Sequence, residues 1–499
     1  MPRRAIDRRA AALRPAAAPA PERRRVRRLA AAALIASVAA CAHYAPRPLP
    51  PERTAAAFAA RRLDAPELRD AVRALIPQRA ERWPPEVWNR ADLLAVALAR
   101  NPDIAVARAE VDAALAKEAG AAETPNPNLT LQSEYARDEA HPWLYGIATD
   151  IVLRTPARRR LDVGIAELAT TNARWQLVEK VWSVRRAVTN ALADREGARR
   201  RGELLDRLGD AQRQLLALAE RRVAAGEDAA SALVAQRAAV LDVEQQRAQA
   251  RADAVAAQDA LAAALGMPPE ALDGLRVEWP DWGVPPTVDA AALDREREHA
   301  LLSRADLAAA IADYAGSEKQ LERAIARQLP EFHLNPGYYW DHGIAKWPFD
   351  VGFAPPLFNR NDGEIADARA ARELAGRRLL AAQAAIYGAI AAAARAETVT
   401  VENADAARRR VAAADEQARH AALGLELGAI DRSERLGIDT VALRAELDAL
   451  QASAQRQAAR GALEDALHAP LSGPELALRA ALQDAAPSAA SLSAAGETP

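Results

Sequence analysis

The chain has 499 residues, of which 50% are hydrophobic, 4% are aromatic and 27% are charged. The formal net charge is −2, but residues 1–28 hold ten Arg against Asp7 and Glu22, a surplus of +8 that leaves −10 on the rest of the chain. A net charge of −10 on the residues after 28 argues against nucleic-acid binding. One Cys excludes a disulfide framework and a Cys-based zinc site, and seven scattered His argue against a His-built metal site.

The amino terminus has the pattern of a secretory signal. An Arg-rich stretch precedes Leu29–Ala40, an uncharged run of twelve residues that is shorter than the about 20 needed to span a bilayer. Small residues then precede Cys41, and the pattern resembles a bacterial lipobox, in which the Cys becomes the first mature residue and carries acyl chains. We predict a signal peptide at 1–40, lipidation with palmitate at Cys41, and a lipid-anchored linker with an N-terminal periplasmic segment at 41–85. A buried free cysteine is the alternative.

The rest of the chain repeats itself. Asp103-Ile104-Ala105 matches Asp306-Leu307-Ala308 at an offset of 203, and Gly226 matches Gly428 at an offset of 202. An offset held over about 130 residues indicates two copies of one unit. We therefore predict repeat 1 at 86–265, an inter-repeat equatorial segment at 266–289, repeat 2 at 290–469 and a flexible tail at 470–499.

Each repeat begins with a helix, the first over 91–122, and continues with two strands. Apolar residues then alternate with polar ones, as in Leu129, Leu131 and Tyr135, which predicts strands rather than helices. The strands are predicted at 128–137 and 145–155 in repeat 1 and at 330–340 and 346–356 in repeat 2. Segments 128–155 and 330–358 together hold 11 of the 21 aromatic residues.

Long stretches without proline follow each pair of strands, at 157–223 and 363–427. A helix of this length would be about 100 Å long, which no single globular core could bury. Glycine-containing turns at 225–228 and 427–431 predict that the chain then reverses into a second helix. The predicted fold class is mainly α with a small β part, in two repeats of helix, strand, strand, long helix and helix.

The strands have one apolar, aromatic-rich face and one polar face, which is typical of membrane β-strands. A soluble four-stranded sheet packed on helices has the same composition and is the alternative. Four strands cannot close a membrane barrel, since the smallest have eight and an open edge is not stable in lipid. Three chains would supply twelve strands, and the long helices would continue as a helical barrel below them.

The chain resembles the TolC family of outer-membrane efflux proteins over roughly residues 55–470. The resemblance is carried by Asn101-Pro102-Asp103, by Pro125-Asn126-Pro127-Asn128-Leu129 and by the stretch from Pro356 to Gly363, and the last is similar to the cobalt-zinc-cadmium heavy-metal efflux type. It implies a TolC-like homotrimer with a 12-stranded β-barrel on an α-helical barrel. It also implies that the protein lies in the bacterial outer membrane, in contact with its lipid. The implied partners are a periplasmic adaptor (membrane fusion) protein and an inner-membrane efflux pump.

The resemblance also places functional residues at the two glycine turns. Adaptor docking is expected at Arg222, Ala225, Gly226, Leu425 and Gly428, although Leu425 stands where the family usually has an aromatic residue. Asp431 and Glu434 are expected to line the periplasmic aperture, where three-fold symmetry would repeat each carboxylate three times around the axis. The alternative is that Asp431 is the N-cap of the following helix and Glu434 its N3 partner.

No nucleophile–base pair, phosphate loop or metal-ligand cluster stands at usable spacing, so the sequence predicts no enzyme and no cofactor. The function that it favours is a passive exit duct of a tripartite efflux system, for metal ions or small toxic compounds. A lipid-anchored coiled-coil scaffold in the periplasm without a pore is one alternative, and an outer-membrane duct for protein secretion is another.

Overall fold

The computed structural model describes residues 44–479 and Leu482. The signal peptide and Cys41 lie outside these residues. The chain forms two compact units, a short one that ends at Ala57 and a large one that begins at Phe58. The first helix begins in the short unit, and all later helices and strands lie in the large unit.

The described part of the chain begins with four α-helices, α1 (Pro51–Ala59), α2 (Pro66–Leu75), α3 (Arg90–Arg100) and α4 (Pro102–Ala121). The single helix predicted over 91–122 is wrong, because Asn101 is extended and separates α3 from α4. The Asn101 side chain accepts hydrogen bonds from the N–H groups of Asp103 and Ile104, and Pro102 takes the first helical position, where no N–H is needed.

The first pair of strands is β1 (Asn128–Tyr135) and β2 (Trp143–Leu153), which overlap both predicted segments. Helix α5 (Pro156–Ala224) follows and is 69 residues long, or about 100 Å. After the turn, α6 (Ala230–Leu265) runs back along it.

The second repeat has the same order of elements: α7 (Ala290–Ser303), α8 (Ala305–Ala326), β3 (Phe332–Asp341), β4 (Ile344–Lys346), β5 (Phe349–Phe353), α9 (Asp362–Glu426) and α10 (Arg432–Leu467). The single strand predicted at 346–356 is two short strands in the structure. Pro348 lies between β4 and β5 and has no N–H to give to the ladder, which accounts for the break. Helix α9 has 65 residues.

The strands form one antiparallel sheet in the order β1-β2-β3, and β3 also pairs with β4 and β5. The register aligns Leu131 with Ile147 and Ile147 with Tyr338. It also aligns Phe332 with Phe353. Because side chains alternate along a strand, most of the large apolar side chains of β1, β2, β3 and β5 share one face of the sheet, whereas Leu144, Val152 and Ile344 lie on the other.

The long helices form a wall of four columns. On the side of the sheet, α4 packs on α5, α5 on α8 and α8 on α9; on the side of the glycine turns, α6 packs on α5, α5 on α10 and α10 on α9. Helices α5 and α9 thus extend along both the sheet side and the glycine-turn side of the wall. The end of α6 meets the start of α4 through Asn101 and Ala264, and the end of α10 meets the start of α8 through Arg304 and Ala466. The fold class predicted from the sequence, mainly α with a small β part, is confirmed.

The main hydrophobic core lies where the stacked helices meet. It is built from buried residues of α2, α3, α5 and the inter-repeat segment, among them Leu68, Trp182 and Trp282, together with Trp88 from the segment before α3. Residues 474–478, which the sequence assigned to a flexible tail, form a 3-10 helix whose Leu478 is fully buried in this core, and Leu482 is buried beside it.

Candidate functional site

The two faces of the sheet differ in polarity. The apolar face carries Leu129, Leu131, Tyr145, Ile147 and Val351, all of which are exposed in the isolated chain. Every charged residue of the strands lies on the opposite face by register: Glu134, Asp150, His333, Asp341, Lys346 and Asp350. A sheet with one uncharged, exposed face suits contact with lipid on that side and with water on the other.

Side chains on the polar face pair with one another across strands. Nδ1 of His333 lies 2.9 Å from Oδ1 of Asp150. Asp341 pairs with Lys346 at the far end of the same face. Among the described residues, no group of three or more His, Cys, Asp or Glu is placed to hold a metal ion. The polar face therefore offers charge, chiefly negative, but no metal centre in this part of the chain.

The first glycine turn ends α5. Gly226 has φ +77°, a left-handed conformation that glycine adopts without cost, and the N–H of Glu227 donates to the carbonyl of Arg222 at 2.9 Å. This closes the helix with a Schellman motif. Ala225 and Gly226 are exposed at the tip.

The second glycine turn repeats the first. Gly428 has φ +71°, and the N–H of Ala429 donates to the carbonyl of Gly424 at 2.8 Å. Leu425 and Leu427 are exposed at this tip, and Leu427 is 84% exposed. Two leucines therefore project from the second tip, Leu427 where the first tip has Ala225 and Leu425 where it has Val223. They give the second tip a surface suited to a protein partner.

Asp431 and Arg222 join the two tips. Nη1 of Arg222 lies 3.5 Å from Oδ2 of Asp431, and its Nε lies 3.0 Å from Oδ2 of Asp228. Arg222 was singled out from the sequence for docking only, and its ion pair with Asp431 was not predicted. The 209 positions between them leave no local signal of the contact.

The capping role of Asp431 is present as well. Its Oδ1 accepts a hydrogen bond from the N–H of Glu434 at 2.7 Å, so Asp431 is the N-cap of α10. The Glu434 side chain is exposed and forms no hydrogen bond or ion pair with any described residue. Asp431 thus has two structural tasks, whereas the Glu434 carboxylate is free to face water or a neighbouring copy.

One helix has an unusual surface for a water-facing element. Among the described helices, α9 is the only one with an 18-residue stretch apolar enough to cross a membrane, with a mean hydropathy of 1.4. Only 11% of that stretch is buried in the isolated chain. Since α9 forms one edge of the helical wall, its apolar side is open to a neighbour.

Comparison with known proteins identifies the fold. Residues 93–267 match the family model described as outer membrane efflux protein. No curated protein sequence matches the chain. The resemblance to TolC-type outer-membrane efflux proteins that was predicted from the sequence is confirmed.

Three solved structures are similar to the chain at low sequence identity. A membrane protein from Pseudomonas aeruginosa has a TM-score of 0.64 at 19% identity, covering 76% of this chain and 90% of that one. The outer membrane protein VceC from Vibrio cholerae has a TM-score of 0.63 at 18% identity, covering 77% and 97%. The CmeC outer membrane channel from Campylobacter jejuni has a TM-score of 0.63 at 13% identity, covering 79% and 89%.

Proposed function

We propose that this chain is an outer membrane efflux protein and that it forms the exit-duct subunit of a tripartite efflux system in the bacterial outer membrane. The observation that carries the proposal is the continuity between the two-faced sheet and the helical wall. Helix α5 follows β2 after two residues and runs about 100 Å to the first glycine turn. One chain thus supplies both a membrane-facing section and a long periplasmic section of the same wall.

Closure of the duct requires further copies of the chain. The sheet has β1 at one edge and β4 and β5 at the other, and an open edge is not stable in lipid. The helical wall likewise has two edges, α4 and α9, and the exposed apolar stretch of α9 favours helix contact with a second copy. We propose a homotrimer, in which a 12-stranded barrel continues into a closed helical barrel.

The two glycine turns form the periplasmic end of the duct in this proposal. Arg222, Ala225, Gly226, Leu425 and Gly428 would dock the periplasmic adaptor, with the exposed leucines of the second tip as the apolar contact. Asp431 and Glu434 would line the aperture, and the ion pair between Arg222 and Asp431 would hold the two tips together while it is closed. The adaptor would connect the duct to an inner-membrane pump.

Transport through such a duct needs no catalytic group, because the pump supplies the energy. Metal ions or small toxic compounds are the proposed substrates, and the negative charge on the polar face of the sheet favours cationic ones. Lipidation at Cys41 would add a second membrane attachment to the barrel itself. Replacing Cys41 with Ser should therefore abolish acylation and leave the barrel able to insert.

Conductance of the detergent-purified protein in planar bilayers, measured together with its native mass, tests the proposal. Discrete conductance steps from a trimer would support it. A water-soluble oligomer that does not conduct after removal of the lipid anchor would overturn it in favour of a periplasmic scaffold. Conducting trimers that export a folded or unfolded protein substrate, rather than small solutes, would assign the duct to secretion.

A further inference from the structure

A buried cluster of charges lies far from the tips and has no part in the proposed duct chemistry. Arg185 of α5 has a fully buried side chain. Its Nη2 donates to Oε2 of Glu464 at 2.5 Å, its Nη1 to Oδ1 of Asp465 at 3.2 Å and its Nε to Oε2 of Glu475 at 2.8 Å. The three carboxylates come from two elements, since Glu464 and Asp465 end α10 and Glu475 lies in the 3-10 helix that follows.

That 3-10 helix belongs to a segment that we name the C-terminal strap, residues 470–479 and 482. The strap is tied to α10 at its start, where the N–H of Leu471 donates to Oε1 of Glu464 at 3.0 Å. It then passes Arg90 at Gly473, with φ +84°, and ends with Leu478 and Leu482 in the main core. Glu475 is the strap residue that reaches Arg185, and its side chain is 2% exposed.

The cluster holds more negative than positive charge. Three carboxylates share the single guanidinium of Arg185, and burial, which by itself lowers the pKa of this arginine, is outweighed by Glu475, Glu464 and Asp465, which raise it above its ordinary value. Arg186 on α5 is the second cation that faces Asp465. On the other side of Asp465 is a cavity of about 700 Å³, which Glu179, Arg304 and His468 also line.

His468 adds no positive charge that would offset the excess of carboxylates. Its ring stacks on Trp182 with centroids 5.0 Å apart, and burial, reinforced by Arg304, lowers its pKa to about 3. Glu179 lies 3.5 Å from Nε2 of His468, and burial followed by the charge of Asp306 raises the pKa of Glu179. At neutral pH the surroundings of Asp465 therefore hold several carboxylates and a neutral imidazole besides the cations Arg185, Arg186 and Arg304.

Asp465 responds to moderate acidity. Burial raises its pKa to about 6; Arg185 and Arg186 oppose this, and Glu464 and Glu475 add to it. The charge of Glu475 thus makes protonation of Asp465 easier when the strap is docked. By thermodynamic linkage, protonation of Asp465 must then make docking of Glu475 more favourable by the same factor.

We propose that the C-terminal strap is an acid-tightened latch. Uptake of a proton by Asp465 removes its repulsion of Glu475. Glu475 then holds the strap more firmly against Arg185 and fixes the C-terminal end of α10. The latch goes beyond the exit-duct proposal and depends only on contacts within one chain. Since α10 begins at the second glycine turn, holding its C-terminal end more firmly would also limit movement of that tip.

Hydrogen exchange of peptides covering the strap, measured on the full-length purified protein and corrected for intrinsic exchange rates, tests the latch. Between about pH 7.5 and about pH 5, protection of the Leu471 N–H and the rest of the strap should rise about fivefold, which corresponds to a linked shift of somewhat under one pKa unit. Asp465→Asn imitates the protonated side chain and should give the higher protection at both pH values. Asp448→Asn, at an exposed aspartate of the same helix, should keep the wild-type pH dependence.

Equal strap protection of the wild-type protein at both pH values would overturn the latch, and so would an Asp465→Asn variant that still responds to pH. If Asp465→Asn fails to assemble by native mass, Glu475→Gln decides the question. That variant should show weak strap protection with little pH dependence, and a wild-type response would count against the latch. None of these readings requires conductance, so failure of the latch and failure of the duct are separate outcomes.

Discussion

Asn101 and Arg304 perform the same task in the two repeats. Nδ2 of Asn101 donates to the carbonyl of Ala264 at 2.8 Å, and Nη1 of Arg304 donates to the carbonyl of Ala466 at 2.6 Å. Both donors begin a short helix, and both acceptors lie in the last turn of the helix stacked on it. Each joint between stacked helices is thus fixed by a side chain that satisfies a terminal carbonyl.

The residues that directly follow α6 and α10, Gly266 and His468, are also equivalent to each other. Gly266 has φ +68° and His468 has φ +48°, and in both cases the next N–H donates five residues back, to Ala262 and to Glu464 respectively. The two joints therefore share one backbone conformation. In the second repeat a histidine accepts the left-handed conformation that glycine adopts freely, and its stacking on Trp182 offsets part of the cost.

Gly266→Ala should strongly destabilise the protein. Besides the positive φ, a Cβ at this position would lie 2.4 Å from the carbonyl oxygen of Arg100, which is backbone and cannot move aside easily. We expect the free energy of unfolding to fall by about 2–4 kcal/mol, measured by thermal unfolding in detergent. Gly274→Ala is the matched control, since its φ is +74° but no atom lies within 4 Å, and it should cost only about 1 kcal/mol. Equal costs for the two variants would mean that the close approach to Arg100 does not matter.

Arg185→Met should destabilise the protein by about 3–5 kcal/mol near neutral pH, because three carboxylates in a buried site would lose their cation. The loss should shrink toward about pH 4.5, where unpaired buried carboxylates take up protons. Arg199→Met removes an exposed arginine that pairs with Glu196 and Glu203 on its own helix, and it should cost less than about 1 kcal/mol. Unfolding curves at both pH values measure the difference, and comparable losses for the two variants would contradict the prediction.

Two groups at the second joint should give opposite pH dependences of stability. The folded-state pKa of His468 is about 3, below its unfolded value, so the unfolded chain binds a proton first and stability is lost as pH falls below about 6.5. The folded-state pKa of Asp465 is about 6, above its unfolded value, so stability is gained as pH falls through about 6. In the wild type these contributions offset each other over much of the range between pH 6 and 4.

Single substitutions should separate the two contributions. Between about pH 7 and pH 4.5, the free energy of unfolding should fall by about 2–3 kcal/mol less in His468→Gln than in the wild type. In Asp465→Asn it should fall by more than in the wild type. Thermal unfolding across this pH range measures both. If the two variants shift the pH profile in the same direction, the assignment of these protonation states is wrong.

The sequence predicts what depends on local pattern and misses what depends on distant contacts. Alternating apolar residues predict strands at 128–137 and 145–155, and β1 and β2 lie at 128–135 and 143–153. The glycines at 226 and 428 predict the two tips, because period and left-handed backbone are properties of neighbouring residues. Periodicity alone runs one helix through Asn101, although Asn101-Pro102-Asp103 resembles a helix opening of the TolC family and an N-cap residue followed by proline signals a helix start. The ion pair of Arg222 with Asp431 and the cluster around Arg185 join residues more than 200 positions apart. No periodicity encodes such pairs.

Asp431→Asn should separate the two tasks of Asp431. Asparagine is as good an N-cap as aspartate, so the stability of α10 should change by less than about 0.5 kcal/mol, but the ion pair with Arg222 is lost. We expect the closed tips to be held less tightly, with about twofold more frequent opening in single-channel recordings. Asp431→Ala should add a loss of about 1 kcal/mol from the missing cap. Unchanged opening in Asp431→Asn would leave Asp431 with its capping role alone.

Glu434→Gln tests whether the aperture carries functional charge. The Glu434 side chain is exposed and has no partner among the described residues, so the substitution should leave stability within about 0.5 kcal/mol of the wild type. In a trimer it would remove three negative charges near the axis, and the preference for cations over anions should fall about twofold in reversal-potential measurements across a salt gradient. Glu446→Gln, on the same helix but paired with Arg207, is the control and should keep the wild-type preference. A reversal potential that does not change in Glu434→Gln would place this carboxylate outside the conduction path, because a charge ring at a narrow aperture must act on every ion that passes.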